Sequence, residues 1–195
     1  MDNTGGLDIN APIVNNGGGA SSVTIASTIP SGTPGTVTFG GANTYTGATM
    51  IDRGTLSLTG SLSGGGAVST SGTGILSQSS AGVISGASTF SQGSSGTSVL
   101  AGSNTYTGAT SITGGVLSLT NATPLGASPG ISGTSGITIN AGTVLQSATA
   151  GTNPSTTIAA PIALGAGGNT TLRIGQGAGS NTHTFNINGA IGGAT

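Results

Sequence analysis

Few side chains in this sequence are of a type and spacing that could do chemistry. Ser128 stands in Gly126-Ala-Ser-Pro-Gly130, which matches the G-x-S-x-G pattern of a nucleophile elbow. That elbow needs a strand-to-helix turn with a histidine and an acid nearby, and no helical periodicity surrounds Ser128. His183 is the sole histidine and the chain has no cysteine, so a set of such metal ligands is not available. We therefore interpret Ser128 as a chance match and His183 as a surface residue.

Charged side chains are scarce, which excludes several classes of function. The 195 residues include two Lys/Arg and three Asp/Glu residues, and the net charge is −1. Two cations cannot neutralise a row of phosphates, so we expect no nucleic-acid partner. Polysaccharide-cleaving enzymes need a pair of catalytic acids, so we expect neither enzyme activity nor a cofactor. Asp52-Arg53 is expected to be a solvated pair worth ~0–1 kcal/mol, and Asp2, Asp8 and Arg173 are isolated.

Composition favours β-structure over disorder and over a membrane span. The chain has 40 glycines and 33% hydrophobic residues, and its Val, Ile and Leu are placed among Thr, as is typical of strands. Disordered chains usually combine low hydrophobicity with high net charge, which this chain lacks. No window approaches 18 consecutive apolar residues, so we expect no membrane insertion of this segment.

One internal repeat dominates the organisation of the chain. Residues 41–60 and 102–121 are identical at 14 of 20 positions, and the two copies lie 61 residues apart. The two tyrosines of the chain, Tyr45 and Tyr106, hold the same place in both copies. A weaker echo of the second half of the repeat covers residues 136–146. Regular self-similarity of this kind is typical of repeat architectures.

Short strands separated by Gly, Asn and Pro are predicted along the whole chain. In Leu56-Ser-Leu58 and Leu117-Ser-Leu119, alternation predicts that both leucines point inward and the serine outward. Strands at this spacing fit a sandwich, a barrel or a β-solenoid, and the internal repeat favours the solenoid.

The predicted fold is therefore all-β, with residues 1–195 forming a single β-solenoid segment. The 61-residue offset would hold three rungs of roughly 20 residues, and the chain about nine or ten rungs. Two of the predicted strands are long and cover residues 9–14 and 156–164.

The opening of each repeat resembles the autotransporter passenger-associated repeat. In both copies the match covers Asn-Thr-Tyr-Thr-Gly-Ala-Thr, then a strand, a glycine and Leu-Ser-Leu. The resemblance implies a right-handed parallel β-helix in a bacterial protein that is exported and displayed at the cell surface or released. Residues 1–6 show no export signal, which fits either a cytosolic protein or a segment of a longer exported protein. The positions that match the repeat are Asn43, Tyr45, Gly47, Gly54, Leu56, Leu58, Asn104, Tyr106, Gly108, Gly115, Leu117 and Leu119.

The resemblance also implies that these residues are structural. The asparagine of each copy would hydrogen-bond to neighbouring backbone, as Asn does in tight turns. The tyrosine would cover the core at a corner of the coil. The glycine two residues after the tyrosine would permit a turn with positive φ.

Three roles remain open from the sequence. The first is a spacer, fibre or adhesin segment that stacks end to end with itself, or with flanking repeats, because solenoid ends expose unpaired backbone. The second is an ice-binding face, suggested by Thr36-Val-Thr38, Thr44-Tyr-Thr46 and Thr105-Tyr-Thr107. The third is recognition of surface glycans, for which no residue identifies a ligand.

Overall fold

The computed structural model describes residues 6–27, 34–120, 131, 133–147, 155–166, 168–174 and 184–193. Within them the chain forms 21 strands and no helix, hence no helix able to cross a membrane. In chain order the strands are β1 Leu7–Ile9, β2 Val23–Ile25, β3 Thr36–Phe39, β4 Ala42–Asn43, β5 Thr49–Ile51, β6 Thr55–Leu58, β7 Ser61–Leu62, β8 Val68–Thr70, β9 Ile75–Gln78, β10 Val83–Ile84, β11 Phe90–Gln92, β12 Thr97–Leu100, β13 Thr110–Ile112, β14 Val116–Leu119, β15 Ile137–Ile139, β16 Val144–Ser147, β17 Ser155–Ile158, β18 Ile162–Leu164, β19 Thr171–Ile174, β20 Thr184–Ile187 and β21 Ile191–Gly193.

Successive strands join different sheets, and strands that are neighbours in a sheet run parallel. Sheet 1 has the order β1-β3-β6-β9-β12-β14-β16-β19, and sheet 2 the order β2-β5-β8-β11-β13-β15-β18-β21. Sheet 3 contains β4, β7 and β10, and sheet 4 contains β17 and β20. From β4 to β12 the chain visits sheets 3, 2 and 1 in rotation. This path is a parallel β-helix, as the sequence predicted.

The two copies of the repeat lie three turns apart. Thr49 of the first copy lies beside Val68, Val68 beside Phe90, and Phe90 beside Thr110, the equivalent residue of the second copy. The predicted three rungs within the 61-residue offset are thus confirmed. These turns contain 19, 22 and 20 residues, and the turn from Thr110 to Ile137 contains 27. Extra residues therefore enter between strands without disturbing the register.

Leucines of the repeat form part of a narrow core inside the coil. Both leucines of β6 and both of β14 are fully buried, and burying one such side chain stabilises a fold by about 1.5–3 kcal/mol. Ser118, the serine between the leucines of β14, was predicted to point outward, and it lies in the same row as Val99 and Gln146 of the adjacent strands. It is nevertheless only 2% exposed, because Gln146 covers it and donates from Nε2 to its Oγ at 3.1 Å.

Two predicted strands are wrong in extent. The strand predicted over residues 156–164 is two strands, β17 and β18, and Pro161 lies in the corner between them. Of the strand predicted over residues 9–14, only Ile9 lies in a strand, because β1 ends at this residue. The segment that follows, which contains Pro12, is irregular. Proline has no N–H to donate to a ladder, so it favours the corners of a coil.

Four strands were not predicted from the sequence. β4 and β7 have two residues each, too few for an alternating pattern to be visible. β11 places a glutamine, Gln92, at an inward position, which breaks the apolar alternation. β21 ends in two glycines.

The right-handed coil, the single-segment organisation and the total of nine or ten rungs stay predictions.

Candidate functional site

The repeats build the same corner twice, where the chain enters sheet 2. We call residues 43–49 the first corner segment and residues 104–110 the second. Each contains the asparagine, tyrosine and glycine of the repeat and ends at the first threonine of a sheet 2 strand, Thr49 of β5 or Thr110 of β13. Because these segments hold the chain's most specific pattern, they are the candidate site.

In the first corner segment the buried side chain of Asn43 joins three turns of the coil. Its Oδ1 accepts a hydrogen bond from the backbone N–H of Ile13 at 2.9 Å, on the preceding turn. Its Nδ2 donates to the backbone oxygen of Gly41 at 3.0 Å and to that of Ser61, on the following turn, also at 3.0 Å. One amide therefore satisfies backbone groups that would otherwise be left unpaired in the interior.

In the second corner segment Asn104 performs the same task with an added partner. Its Oδ1 accepts from the backbone N–H of Ile84 at 2.7 Å, on the preceding turn. Gln78 also donates from Nε2 to this Oδ1, while its Oε1 accepts from Asn104 Nδ2 at 2.9 Å and from the backbone N–H of Gly102 at 3.1 Å. The two buried amides form a reciprocal pair, so neither carries an unsatisfied carbonyl inside the coil.

The two asparagines bracket sheet 3. Asn43 lies in β4, the first strand of that sheet, and reaches back to the turn that precedes it. Asn104 follows β10, the last strand, and takes the N–H of Ile84 within it. The next backbone N–H along the chain also bonds to the turn before in both copies, since Thr44 donates to Ile13 and Thr105 to Ile84, each at 3.0 Å.

Each tyrosine of the repeat is buried and bonded to the threonine at the end of its own segment. Tyr45 Oη lies 2.6 Å from Thr49 Oγ1, and Tyr106 Oη lies 2.7 Å from Thr110 Oγ1. Thr110 also contacts Thr134 Oγ1 at 3.0 Å. Burial raises the pKa of both phenols, and the hydrogen bond to threonine opposes this rise only in part. Both rings are therefore neutral packing elements rather than acids or bases at physiological pH.

The glycines at the centre of the segments are required for a reason other than the expected one. Gly47 and Gly108 do not have positive φ. A Cβ on Gly47 would overlap the backbone oxygen of Ser21, and a Cβ on Gly108 that of Ser88. Each glycine N–H donates to that same oxygen at 3.0 Å. The constraint is therefore close approach of two successive turns.

Positive φ occurs instead at the corner between sheets 2 and 1. Gly54 of the first repeat has φ 101° and Gly115 of the second has φ 50°. A Cβ on Gly54 would also lie 2.8 Å from the backbone oxygen of Gly35. L-residues rarely adopt this region, so both the conformation and the space favour glycine here.

A second buried polar cluster, around Gln92, was not predicted from the sequence. Gln92 is fully buried, and its Oε1 accepts from Thr70 Oγ1 at 2.9 Å. Its Nε2 donates to Ser94 Oγ at 2.9 Å and to the backbone oxygens of Ser94 and Gly96 at 3.3 Å. Gln78 and Gln92 each occupy an inward strand position, which is the signal that could have identified them.

Side chains that could do other chemistry are not gathered at this site. Ser128 and His183 lie outside the described residues. Within the described ranges, no three His, Cys, Asp or Glu side chains lie together as metal ligands would. Asp52 is exposed and accepts from Ser71 Oγ at 3.0 Å, and Arg173 donates from Nη1 to Gln146 Oε1 at 3.5 Å.

Comparison with known families gives the same two regions. Residues 31–58 and 92–119 match the family model described as passenger-associated-transport-repeat. Two separate segments of the chain are therefore similar to the passenger-associated transport repeat. Such repeats belong to autotransporter passenger domains, which are exported to the cell surface. Neither the curated proteins nor the solved structures that were compared with the chain match it.

Both matched segments begin before the corner and end on sheet 1. The first includes β3 and ends at the last residue of β6, and the second includes β12 and ends at the last residue of β14. Each matched segment therefore spans one full turn of this coil, between two neighbouring strands of sheet 1.

Replacing Asn104 by alanine should destabilise the fold by about 2–4 kcal/mol, because the Ile84 N–H and the Gln78 amide lose their buried partner. Urea unfolding followed by circular dichroism measures this free energy. Asn16→Ala is the matched control, because Asn16 is exposed, and it should change stability by less than about 0.5 kcal/mol. Equal effects of the two substitutions would contradict the role assigned to Asn104.

Gly108→Ala should destabilise the coil by about 2–3 kcal/mol, because the new methyl group meets the backbone of the preceding turn. Gly18→Ala is the control: nothing lies within 4 Å of its Cβ position, and its φ is not positive. That change should be neutral or stabilise by about 0.4–1 kcal/mol. The comparison is made by thermal and urea unfolding, and a stable Gly108→Ala variant would disprove the close-approach argument.

Stability should fall as pH rises above 10, the ordinary pKa of tyrosine. Above that pH the unfolded chain ionises its tyrosines, while burial keeps Tyr45 and Tyr106 protonated in the fold, so deprotonation favours unfolding. The slope should reach about 1.4 kcal/mol per pH unit for Tyr106, which has the larger rise in pKa, and Tyr45 should contribute in the same direction. Cysteine and lysine are absent from the chain, so no other side chain titrates near pH 10.

The measurement is the urea unfolding free energy between pH 8 and pH 12. The double variant Tyr45→Phe/Tyr106→Phe should give a nearly flat profile over this range. An unchanged alkaline slope in that variant would show that the buried tyrosines are not its cause.

Proposed function

We propose that this chain is a non-catalytic structural segment of an exported bacterial surface protein, acting as a spacer, fibre or adhesin segment. The observation that carries the proposal is the use made of the most specific residues of the repeat. In both copies the asparagine and the glycine bond one turn to the next, and the tyrosine closes the core. Because these residues join successive turns, each further copy of the repeat would add turns and lengthen the coil.

The distribution of polar groups supports a non-catalytic role. The buried amides of Asn43, Gln78, Gln92 and Asn104 are bonded to backbone or to each other. The pKa values of Tyr45 and Tyr106 are raised, which makes the two phenols unsuited to general acid–base catalysis near neutral pH. Enzyme sites instead place titratable groups with pKa values near the working pH in a cleft.

We also propose that the segment stacks end to end, with a second copy or with flanking repeats of a longer chain. A parallel coil grows by adding strands to the edges of its sheets, and those edges carry backbone donors and acceptors. Eight strands at about 4.8 Å spacing give each large sheet a length of roughly 35–40 Å. Longer assemblies would extend in steps of this size.

The two alternatives have weaker support. Ice binding needs a flat threonine array, but the outward row of sheet 2 contains Thr24, Met50 and Ser69 on three successive strands. A groove on the same sheet offers the hydroxyl of Thr138 among Ala109, Pro161 and glycines, and no aromatic ring on which a sugar could stack. Thermal hysteresis and glycan-array binding test these two alternatives.

The proposed function predicts that the protein is accessible outside the cell. When intact source bacteria are treated with protease, an antibody against residues 34–120 should lose its signal, while a cytoplasmic marker stays intact. Full protection of the protein in intact cells, with loss after lysis, would overturn the surface location.

Negative-stain microscopy of the purified chain should show rods that lengthen with concentration. Monomers alone at high concentration would overturn end-to-end stacking.

A further inference from the structure

The ends of the two large sheets are the surfaces where a second copy could join. Among the described strands, β1 and β19 are the two end strands of sheet 1, and β2 and β21 are those of sheet 2. Each pairs with a neighbour on one side only. Edge strands present a row of backbone N–H and C=O groups to an incoming strand.

The two ends match in the order of their strands. At one end the chain forms β1 of sheet 1 and then β2 of sheet 2; at the other it forms β19 of sheet 1 and later β21 of sheet 2. A second copy placed beyond β19 and β21 therefore meets them with β1 and β2. Sheet 1 of one copy then continues into sheet 1 of the next, and sheet 2 continues likewise. The order in which the chain visits the sheets is the same across the junction.

The outward row of sheet 1 carries opposite charges at its two ends. Asp8 lies on β1 and Arg173 on β19, and the intervening strands place neutral residues in the same register. Stacking a second copy in this register sets Arg173 of one copy beside Asp8 of the next. In full, the row reads Asp8, Thr38, Ser57, Ser77, Val99, Ser118, Gln146 and Arg173.

Apolar side chains at inward positions are exposed at the ends of both large sheets. Leu7 is 57% exposed on β1, and it holds the same register position as Leu172 on β19. Ile191 is 51% exposed on β21, at the register position of Val23 on β2. In the described chain only four large hydrophobic residues are exposed, and Leu7 and Ile191 are two of them. Stacking would bury both.

We propose that copies of this chain join head to tail, with β1 and β2 of one copy pairing with β19 and β21 of another, and that the pair of Asp8 and Arg173 across each junction selects this arrangement. The inference rests on the end-to-end stacking of the proposed function and adds its polarity and register. Joining two first ends would oppose Asp8 to Asp8, and joining two last ends would oppose Arg173 to Arg173. A slip by one residue would turn Leu7 outward.

Exchanging the charges tests the pair directly. Asp8→Arg places two arginines at every junction, and Arg173→Asp places two aspartates there. We expect each variant alone to need about tenfold more protein to elongate, as measured by sedimentation velocity and negative-stain microscopy. An equimolar mixture should elongate like the wild type, because every junction between the two variants again joins an arginine to an aspartate. The double variant Asp8→Arg/Arg173→Asp should also elongate alone.

Controls separate the pair from a general effect of charge. Asp52→Arg and Arg53→Asp make the same changes of net charge at an exposed corner and should elongate like the wild type. Circular dichroism checks that every variant is folded. In 1 M salt, where the Debye length is about 3 Å, the single variants should recover towards wild-type elongation.

The outcomes distinguish this inference from the proposed function. A wild-type chain that stays monomeric would overturn both the stacking and its charge selection. A wild type that elongates, with folded single variants that elongate equally well, would overturn the charge pair and leave the stacking intact. A mixture that stays short while both variants are folded would also overturn the head-to-tail junction.

Discussion

Parallel hydrogen bonding between successive turns is the constraint on which the rest of this structure depends. Turns in a parallel sheet lie about 4.8 Å apart, so the side chain at any strand position lies beside the equivalent side chains of the turns on either side. A charge repeated at one position would face its own copies at that distance. Between Asp8 and Arg173 on its two end strands, the outward row of sheet 1 therefore contains only neutral residues. In sheet 2, Ser111 Oγ and Ser91 Oγ lie 3.0 Å apart on adjacent strands and form a hydrogen bond without any charge. The same spacing explains why Gly47 and Gly108 have no side chain where two turns touch.

The coil uses buried amides where the backbone ladder is interrupted. Sheet 3 has three short strands, and the turns before and after it still carry backbone groups that need partners. Asn43 and Asn104 supply them through side chains that lie 1% and 0% exposed. Burying an unbonded amide would be unfavourable, whereas a fully bonded one fixes the position of one turn against the next. Placing an asparagine at each interruption is therefore both a stabilising feature and a means of specifying register.

Much of this architecture could be predicted from the sequence because it repeats. The 61-residue offset and the alternation around Leu56 and Leu117 predict a β-solenoid, and the resemblance to the passenger repeat implies that its strands are parallel. What could not be predicted depends on neighbours that are distant in sequence. The burial of Ser118 depends on Gln146, 28 residues later, and the pairing of Asn104 depends on Gln78, 26 residues earlier. The reason for the central glycines was also missed, because a clash with the preceding turn leaves no local pattern.

Because its turns differ in length, the coil tolerates substitutions in its strands and insertions at its corners to different degrees. Along the stacking direction every position is tied to the turn before and after it, so the strands accept few substitutions. Around the circumference, the step from Thr49 to Val68 has 19 residues and the step from Ile162 to Ile191 has 29, yet both keep three residues in register. New loops can therefore be added at corners without altering the rod. A protein built this way can acquire binding loops at its corners while the stacked strands stay the same.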